Sequence, residues 1–172
     1  MAVLVEGISV IIQDEKLAKV IYWEDFKEMV PNQTLCADGE LVRVGFMHPD
    51  DVKFFVSELE ALGLQYLDKN SAVDLCVVDQ QAGPMVSVDW LEFGSVEMNG
   101  KKVAAARLCG SEVGQIFTPE GWAYHGSLSE RFLFVRSEDP DSLEVVGRKG
   151  LMDIVRTTLS DAPMFIARIW RK

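Results

Sequence analysis

Few segments of this chain combine residue types that could do chemistry, and residues 48–51 form the first of them. His48-Pro49-Asp50-Asp51 places an imidazole beside two carboxylates. Those groups could ligate a metal ion or transfer protons. They also suit the start of a helix, because proline is favoured at the first helical position and acidic side chains there face the positive end of the helix dipole. We favour the helix start, with His48 as the N-cap.

The residues after this cluster support a helix. Apolar side chains recur every three or four positions, as in an amphipathic helix, at Val52, Phe55, Val56, Leu59 and Leu62. Gly63 suits the left-handed position that ends a helix, and Leu64 is placed to contact Leu59 as in a Schellman motif. The pattern predicts a helix that begins at Pro49 and ends before Gly63.

The loop FTPEGWAYHGS, residues 117–127, has the composition of a binding site. Trp122, Tyr124 and His125 lie within four residues and are flanked by Gly121 and Gly126. Amphipathic rings on glycine-containing loops are common in ligand and partner sites. The alternative is an ordered loop whose aromatic rings close one end of the core, with His125 bonded to the backbone.

Two further candidates carry weaker signals. Asp79 and Gln80 follow an apolar run, and polar groups at a strand's end are often aimed into a crevice. The alternative is a polar turn, in which the same residue types are common. Cys109 with His125 could supply a thiol nucleophile and its base. No family signature surrounds either residue, so we favour a structural cysteine.

Motifs for metal, phosphate or cofactor binding are missing from the sequence. A metal site needs three or four ligands, and the chain has two histidines and three widely separated cysteines. No phosphate-binding loop, dinucleotide fingerprint, nucleophile elbow or zinc-protease motif is present. The sequence therefore predicts no metal, no cofactor and no catalytic residue.

Acidic charge is concentrated in the first part of the chain, whose net charge overall is −10. Residues 1–100 carry 6 Lys and Arg against 18 Asp and Glu, a net −12, whereas residues 101–172 carry 11 against 9, a net +2. An acidic face repels nucleic acid and anionic lipid and attracts basic partners, although acids also simply keep proteins soluble. We expect Glu58 and Glu60 to be exposed acids of such a face.

Length and composition indicate one domain. The 172 residues, 48% of them hydrophobic, fit a single domain over 1–172, with a sub-division near 82–85 as an alternative. No apolar run approaches the ~18 residues of a membrane span. Cys36, Cys76 and Cys109 have no paired spacing, which favours free thiols in a reducing cytoplasm.

The remaining patterns predict an α+β fold, with a mostly antiparallel sheet and helices packed on one face. The apolar run at 1–12 is typical of a first strand, and residues 7–13 predict a buried strand. Residues 14–30 predict two short helices or one kinked helix, capped by Asp14. Asp38-Gly39 and Asn99-Gly100 mark tight hairpins. Residues 72–80 predict a buried strand.

The C-terminal part predicts a long loop over 111–129 and then further strands. Strands are expected at 131–137, 143–146 and 162–170. Apolar residues at helical spacing predict a helix over 151–159, although its valine and threonines lower the helix propensity.

Two hypotheses for function follow from these residues. The first is a small acidic interaction protein without catalytic activity, which recognises a basic protein in the manner of an adaptor or a toxin-neutralising protein. The second is a small-molecule-binding protein or minor enzyme that uses the 117–127 loop. A homodimer, paired through the strand at 162–170 or through the Trp90 hairpin, is compatible with either.

Overall fold

The computed structural model describes residues 1–112 and 115–124, together with the backbone of 143–149, 152–157 and 160–167. The predicted strand at 131–137 lies outside the described residues. Three helices and a set of largely antiparallel strands make up the described part, so the predicted α+β class is confirmed. The prediction of one domain over 1–172, with its alternative sub-division near 82–85, stays a prediction.

Helices and strands are interspersed along the first part of the chain. They are β1 (Ala2–Leu4), β2 (Ile8–Gln13), α1 (Asp14–Leu17), α2 (Trp23–Met29), β3 (Cys36–Ala37), β4 (Leu41–Phe46), α3 (Pro49–Ala61), β5 (Leu67–Asp68), β6 (Ser71–Ala72) and β7 (Leu75–Asp79). Strands alone follow: β8 (Gly83–Pro84), β9 (Leu91–Met98), β10 (Lys101–Leu108), β11 (Ile116–Phe117), β12 (Leu143–Lys149), β13 (Met152–Thr157) and β14 (Ser160–Ala167).

These strands form separate sheets. A five-stranded antiparallel sheet has the order β3-β4-β2-β7-β8, and a four-stranded sheet has the order β11-β1-β10-β9. In the second sheet β1 pairs antiparallel with β10 and parallel with β11. Strands β12, β13 and β14 form an antiparallel three-stranded sheet, and β5 pairs with β6.

The strand predicted at 7–13 is confirmed as β2, and residues 2–4 of the apolar N-terminal run form a further strand, β1, in a different sheet. Gly7 separates β1 from β2 with a φ of 68°, a left-handed conformation that glycine adopts without steric cost. Because of this bend, β1 lies in the four-stranded sheet and β2 lies at the centre of the five-stranded sheet. Glu6 and Gly7 interrupt the apolar run at this point, but the sequence does not show that the two halves join different sheets.

Side chains on the two faces of the five-stranded sheet enter different cores. On β2, Ile8, Val10 and Ile12 face the helices, whereas Ile11 faces the four-stranded sheet. The helix-side core also takes buried residues from all three helices, namely Leu17, Phe26, Val52, Phe55, Val56 and Leu59. Successive side chains of a strand point to opposite faces of its sheet. One face of the five-stranded sheet therefore packs against the helices and the other against the four-stranded sheet.

Helix α3 follows its sequence pattern closely. His48 is the N-cap, with φ −118° and ψ 132°, and its Nδ1 accepts a hydrogen bond of 3.1 Å from the Asp50 amide. At the other end Gly63 has a φ of 112°, and the amide of Leu64 donates to the carbonyl of Leu59 at 3.2 Å. The predicted cap and Schellman motif are both confirmed.

Replacing His48 with alanine is expected to lower the free energy of unfolding by about 1 kcal/mol, because the Asp50 amide loses its acceptor. Replacement with asparagine, which can also accept at an N-cap, is expected to keep most of that stability. Urea denaturation of the three proteins measures the difference. Equal losses in both variants would contradict a capping role.

Two helix predictions need correction. Asp14 does not cap α1, because Gln13 occupies the N-cap position without a side-chain cap bond and Asp14 is the first helical residue. The helix predicted over 151–159 is wrong: residues 152–157 form strand β13, paired with β12 and β14. Ile154, Val155 and Thr157 are β-branched, and their preference for strands outweighs the helical spacing.

The other hairpin predictions are confirmed. Asn99 and Gly100 have φ values of 53° and 74° and join β9 to β10, as a twist-matched two-residue turn requires. Gly39 has a φ of 90° between β3 and β4. The predicted strands at 72–80, 143–146 and 162–170 correspond to β7, β12 and β14. The predicted 111–129 loop contains the short strand β11.

Candidate functional site

The cluster at His48 is built as a helix start. Besides the 3.1 Å cap bond, Nδ1 of His48 lies 3.8 Å from Oδ2 of Asp50. Among the described residues no group of three or more His, Cys, Asp or Glu side chains is placed to hold a metal ion. The geometry around residue 48 gives each side chain a role in the helix terminus.

Two aromatic rings of the 117–127 loop contact charged side chains, those of Glu6 and Lys101. Nε1 of Trp122 donates to both carboxylate oxygens of Glu6, at 3.1 and 3.3 Å. The ammonium group of Lys101 lies 4.2 Å from the ring centre of Tyr124, a cation–π contact. Both rings are half-buried. His125 lies outside the described residues, so its predicted role stays a prediction.

The contact at Lys101 shows which side of the four-stranded sheet the loop crosses. In β10, Ala104 and Ala106 face the core shared with the five-stranded sheet. Lys101, Val103 and Ala105 alternate with them and therefore face the opposite side. Val103 and Ala105 are nonetheless buried. The Tyr124 end of the loop thus lies on this outer face.

A fully buried arginine lies close to the Trp122 contact. Arg43 is 2% exposed, and its guanidinium donates to Oγ of Ser9 at 2.9 Å and to the backbone oxygens of Thr34 and Glu6 at 3.1 and 2.7 Å. Burial lowers the pKa of Arg43, against the opposing effects of Cys36 and Glu6. Arg43 thereby holds the backbone of Glu6, whose carboxylate accepts the hydrogen bonds from Trp122.

Asp79 and Gln80 are engaged within the fold. Asp79 is buried, and its Oδ1 accepts 2.8 Å hydrogen bonds from the amides of Gln81 and Ala82, which shapes the turn after β7. Oε1 of Gln80 accepts from the Gly7 amide at 2.9 Å, and the amide of Gln80 donates to the Gly7 carbonyl at the same distance. The structure brings these two residues to the β1–β2 bend, where Gln80 bonds to Gly7, the residue next to the Glu6 that accepts from Trp122.

The three cysteines are free thiols in different surroundings. Cys36 and Cys76 are buried, and burial raises the pKa of the Cys76 thiol to about 12. Cys109 is exposed, and its thiol donates to the carbonyl of Asp89 at 3.3 Å. The hypothesis of a Cys109–His125 pair stays untested, because His125 lies outside the described residues.

A cavity of about 290 Å³ lies on β9 and β10. Its lining includes the small residues Gly94 and Ala105 and the ion pair of Glu92 with Arg107, whose closest atoms are 2.5 Å apart. Trp122, Tyr124, Asp79 and Gln80 are not among the described residues that line it. The small-molecule hypothesis for the 117–127 loop therefore stays a prediction.

Two exposed aromatic residues were not singled out by the sequence patterns. Tyr22 is 83% exposed and Trp23 is 40% exposed, at the start of α2. Glu24, Asp25 and Glu28 are exposed beside them, and Glu24 forms a 2.7 Å ion pair with Lys27. We call Tyr22, Trp23, Glu24, Asp25 and Glu28 the aromatic–acidic surface.

The indole of Trp23 is partly held by the core. Its ring stacks on Phe26 with centroids 5.9 Å apart, and Phe26 is fully buried. Tyr22 lies between the two apolar sets of residues 14–30, and that position is the signal that could have revealed it. On the neighbouring helix α3, Glu60 is exposed and Glu58 is half-buried. The two predicted acids thus belong to the same helix layer as the aromatic–acidic surface.

No protein-family model, curated protein or solved structure matches the chain. Within the part of the chain that the structure describes, no helix is both long enough and apolar enough to cross a membrane.

Proposed function

We propose that this protein is a non-catalytic interaction protein whose aromatic–acidic surface binds a basic protein. The observation that carries the proposal is the exposure of Tyr22, at 83%, next to Trp23 and three carboxylates. Tyrosine and tryptophan are the residue types most enriched at binding hot spots, because their large rigid rings bury much area at little entropic cost.

Charge complementarity favours a basic partner. The aromatic–acidic surface holds three carboxylates against the single ammonium of Lys27. Residues 1–100, which supply the three helices of the described part, carry a net charge of −12. Acidic surfaces accelerate encounter with basic proteins and repel nucleic acid and anionic lipid.

A cytosolic location and a homodimer paired through the Trp90 hairpin or β14 are further parts of this proposal.

Affinity capture with matched baits tests the proposal. The wild-type chain, the Tyr22→Ser/Trp23→Ser variant and a Leu67→Ser control are compared, since Leu67 is also an exposed apolar residue, at 41%. We expect wild type and control to recover the same basic protein. The double variant is expected to bind that protein at least about tenfold more weakly, without loss of folding.

Association kinetics with the recovered protein test the electrostatic part. Reversal of Glu58 and Glu60 to lysine is expected to slow association at low salt, and the difference should shrink as salt is added. Equal recovery by wild type and by the double variant would contradict the proposed surface. An association rate that is indifferent to both charge reversal and salt would contradict the basic partner.

A further inference from the structure

One buried carboxylate oxygen of the described chain lacks a hydrogen bond. Asp38 is 4% exposed, and its Oδ1 accepts from the amides of Glu40 and Leu41 at 2.9 and 2.8 Å. Its Oδ2 is shielded from solvent and has no hydrogen-bond partner. Buried polar atoms are nearly always satisfied, so this oxygen calls for a donor that the ionised form of the site does not supply.

Asp14 is the neighbouring acid. Its backbone amide donates to the carbonyl of Glu40 at 3.0 Å, which places the start of α1 against the β3–β4 turn that holds Asp38. Burial, together with the negative charge of Asp38, raises the pKa of the Asp14 carboxyl group. The charge of Asp38 disfavours ionisation of Asp14, and one bound proton would remove this repulsion and supply the donor that Oδ2 of Asp38 lacks.

We propose that Asp14 and Asp38 share one proton and form an acid-responsive link between α1 and the β3–β4 turn. In acid the Asp14 carboxyl group takes a proton from solvent and donates it in a hydrogen bond to Oδ2 of Asp38. At higher pH the proton returns to solvent, the hydrogen bond is lost and the two carboxylates repel. The link shares no residue with the aromatic–acidic surface and does not depend on the proposed partner.

The other charged and titratable groups around the pair do not supply the donor. On α1, Lys16 lies 3.6 Å from Glu15. On the turn, the carboxylate of Glu40 accepts a 2.7 Å hydrogen bond from the hydroxyl of Ser111. The same hydroxyl accepts a 3.2 Å hydrogen bond from the N-terminal ammonium group. The thiol of Cys36, in β3, is close enough for Asp38 to raise its pKa, although burial is the larger cause. None of these groups bonds to Oδ2 of Asp38.

Titration of the Asp14 side-chain carboxyl carbon by NMR tests the link directly. In Asp38→Asn the retained Oδ1 can still accept from both turn amides, while the negative charge is gone. We expect the Asp14 midpoint to move down toward the value of an ordinary aspartate. The exposed Asp68 provides the control, since Asp68→Asn should leave that midpoint unchanged. An Asp14 midpoint that is the same in wild type and Asp38→Asn would overturn the proposal.

Unfolding equilibria give a second measurement that does not need the Asp38 variant to fold. Because the folded state holds the Asp14 proton more tightly than the unfolded state, wild type loses this stabilisation as pH rises above the ordinary aspartate range. Asp14→Asn cannot lose it. The unfolding constant of wild type divided by that of Asp14→Asn is therefore expected to rise from acid to neutral pH. A ratio that is constant or falls would also overturn the link.

Discussion

Replacing Gly45 with alanine is expected to lower the free energy of unfolding by about 3 kcal/mol or more, although only one methyl group is added. A Cβ atom at this position would lie 2.4 Å from Nη2 of Arg43 and 2.7 Å from its Cζ. The guanidinium would have to move, and its hydrogen bonds to Ser9, Thr34 and Glu6 would break inside the protein. A buried cation that loses its acceptors is among the costliest changes a fold can suffer.

A double-mutant cycle separates this clash from a general intolerance of alanine in the strand. In an Arg43→Ala background the guanidinium is gone, so Gly45→Ala is expected to cost less than about 1 kcal/mol. Gly94 in β9 is the matched control, because a Cβ there would meet nothing within 4 Å. Gly94→Ala should be neutral or stabilising by a few tenths of a kcal/mol. Denaturant unfolding measures all four variants, and additive losses at positions 43 and 45 would contradict the clash.

The same contacts tie the interior to the 117–127 loop. The guanidinium of Arg43 donates a 2.7 Å hydrogen bond to the backbone carbonyl of Glu6. The carboxylate of Glu6 accepts hydrogen bonds from the indole N–H of Trp122. The sequence shows Trp122 as an aromatic ring on a glycine-containing loop, and that pattern is equally typical of a binding site. Only the tertiary structure shows that its indole N–H is bonded to a residue more than a hundred positions away.

Features set by neighbouring residues were predictable from the sequence. The His48 cap, the Gly63 stop and the Asn99-Gly100 turn each depend on a few adjacent residues whose backbone preferences agree. The exposure of Glu60 follows from the same helical pattern, because it lies off the apolar stripe of α3.

Features set by distant contacts were not predictable. The split between β1 and β2 depends on which sheet each half joins. The burial of Arg43 depends on acceptors from two segments distant from it in sequence or fold, residues 6–9 and Thr34. The helix predicted over 151–159 rested on apolar residues at helical spacing, whereas the β-branched residues of β13 and its pairing with β12 and β14 favour the strand. Trp23 looks like an ordinary helix residue in the sequence, and its 40% exposure depends on how its ring stacks on Phe26.

Replacing Phe55 with alanine is expected to lower the free energy of unfolding by about 3–5 kcal/mol. Its fully buried ring lies 5.3 Å from Phe46 of β4 and 6.5 Å from Phe26 of α2, measured between ring centres. This side chain therefore joins α3 both to the sheet and to the helix that carries the aromatic–acidic surface, so truncation leaves a cavity at the centre of the helix layer.

The adjacent Phe54 is the matched control for Phe55, because it has the same side chain on the same helix but is only half-buried. Phe54→Ala is expected to cost roughly 1–2 kcal/mol, since much less apolar surface leaves the core. Thermal and urea denaturation of both variants give the two values. If the loss at position 55 were no larger than that at 54, the helix layer would not depend on the three-phenylalanine contact.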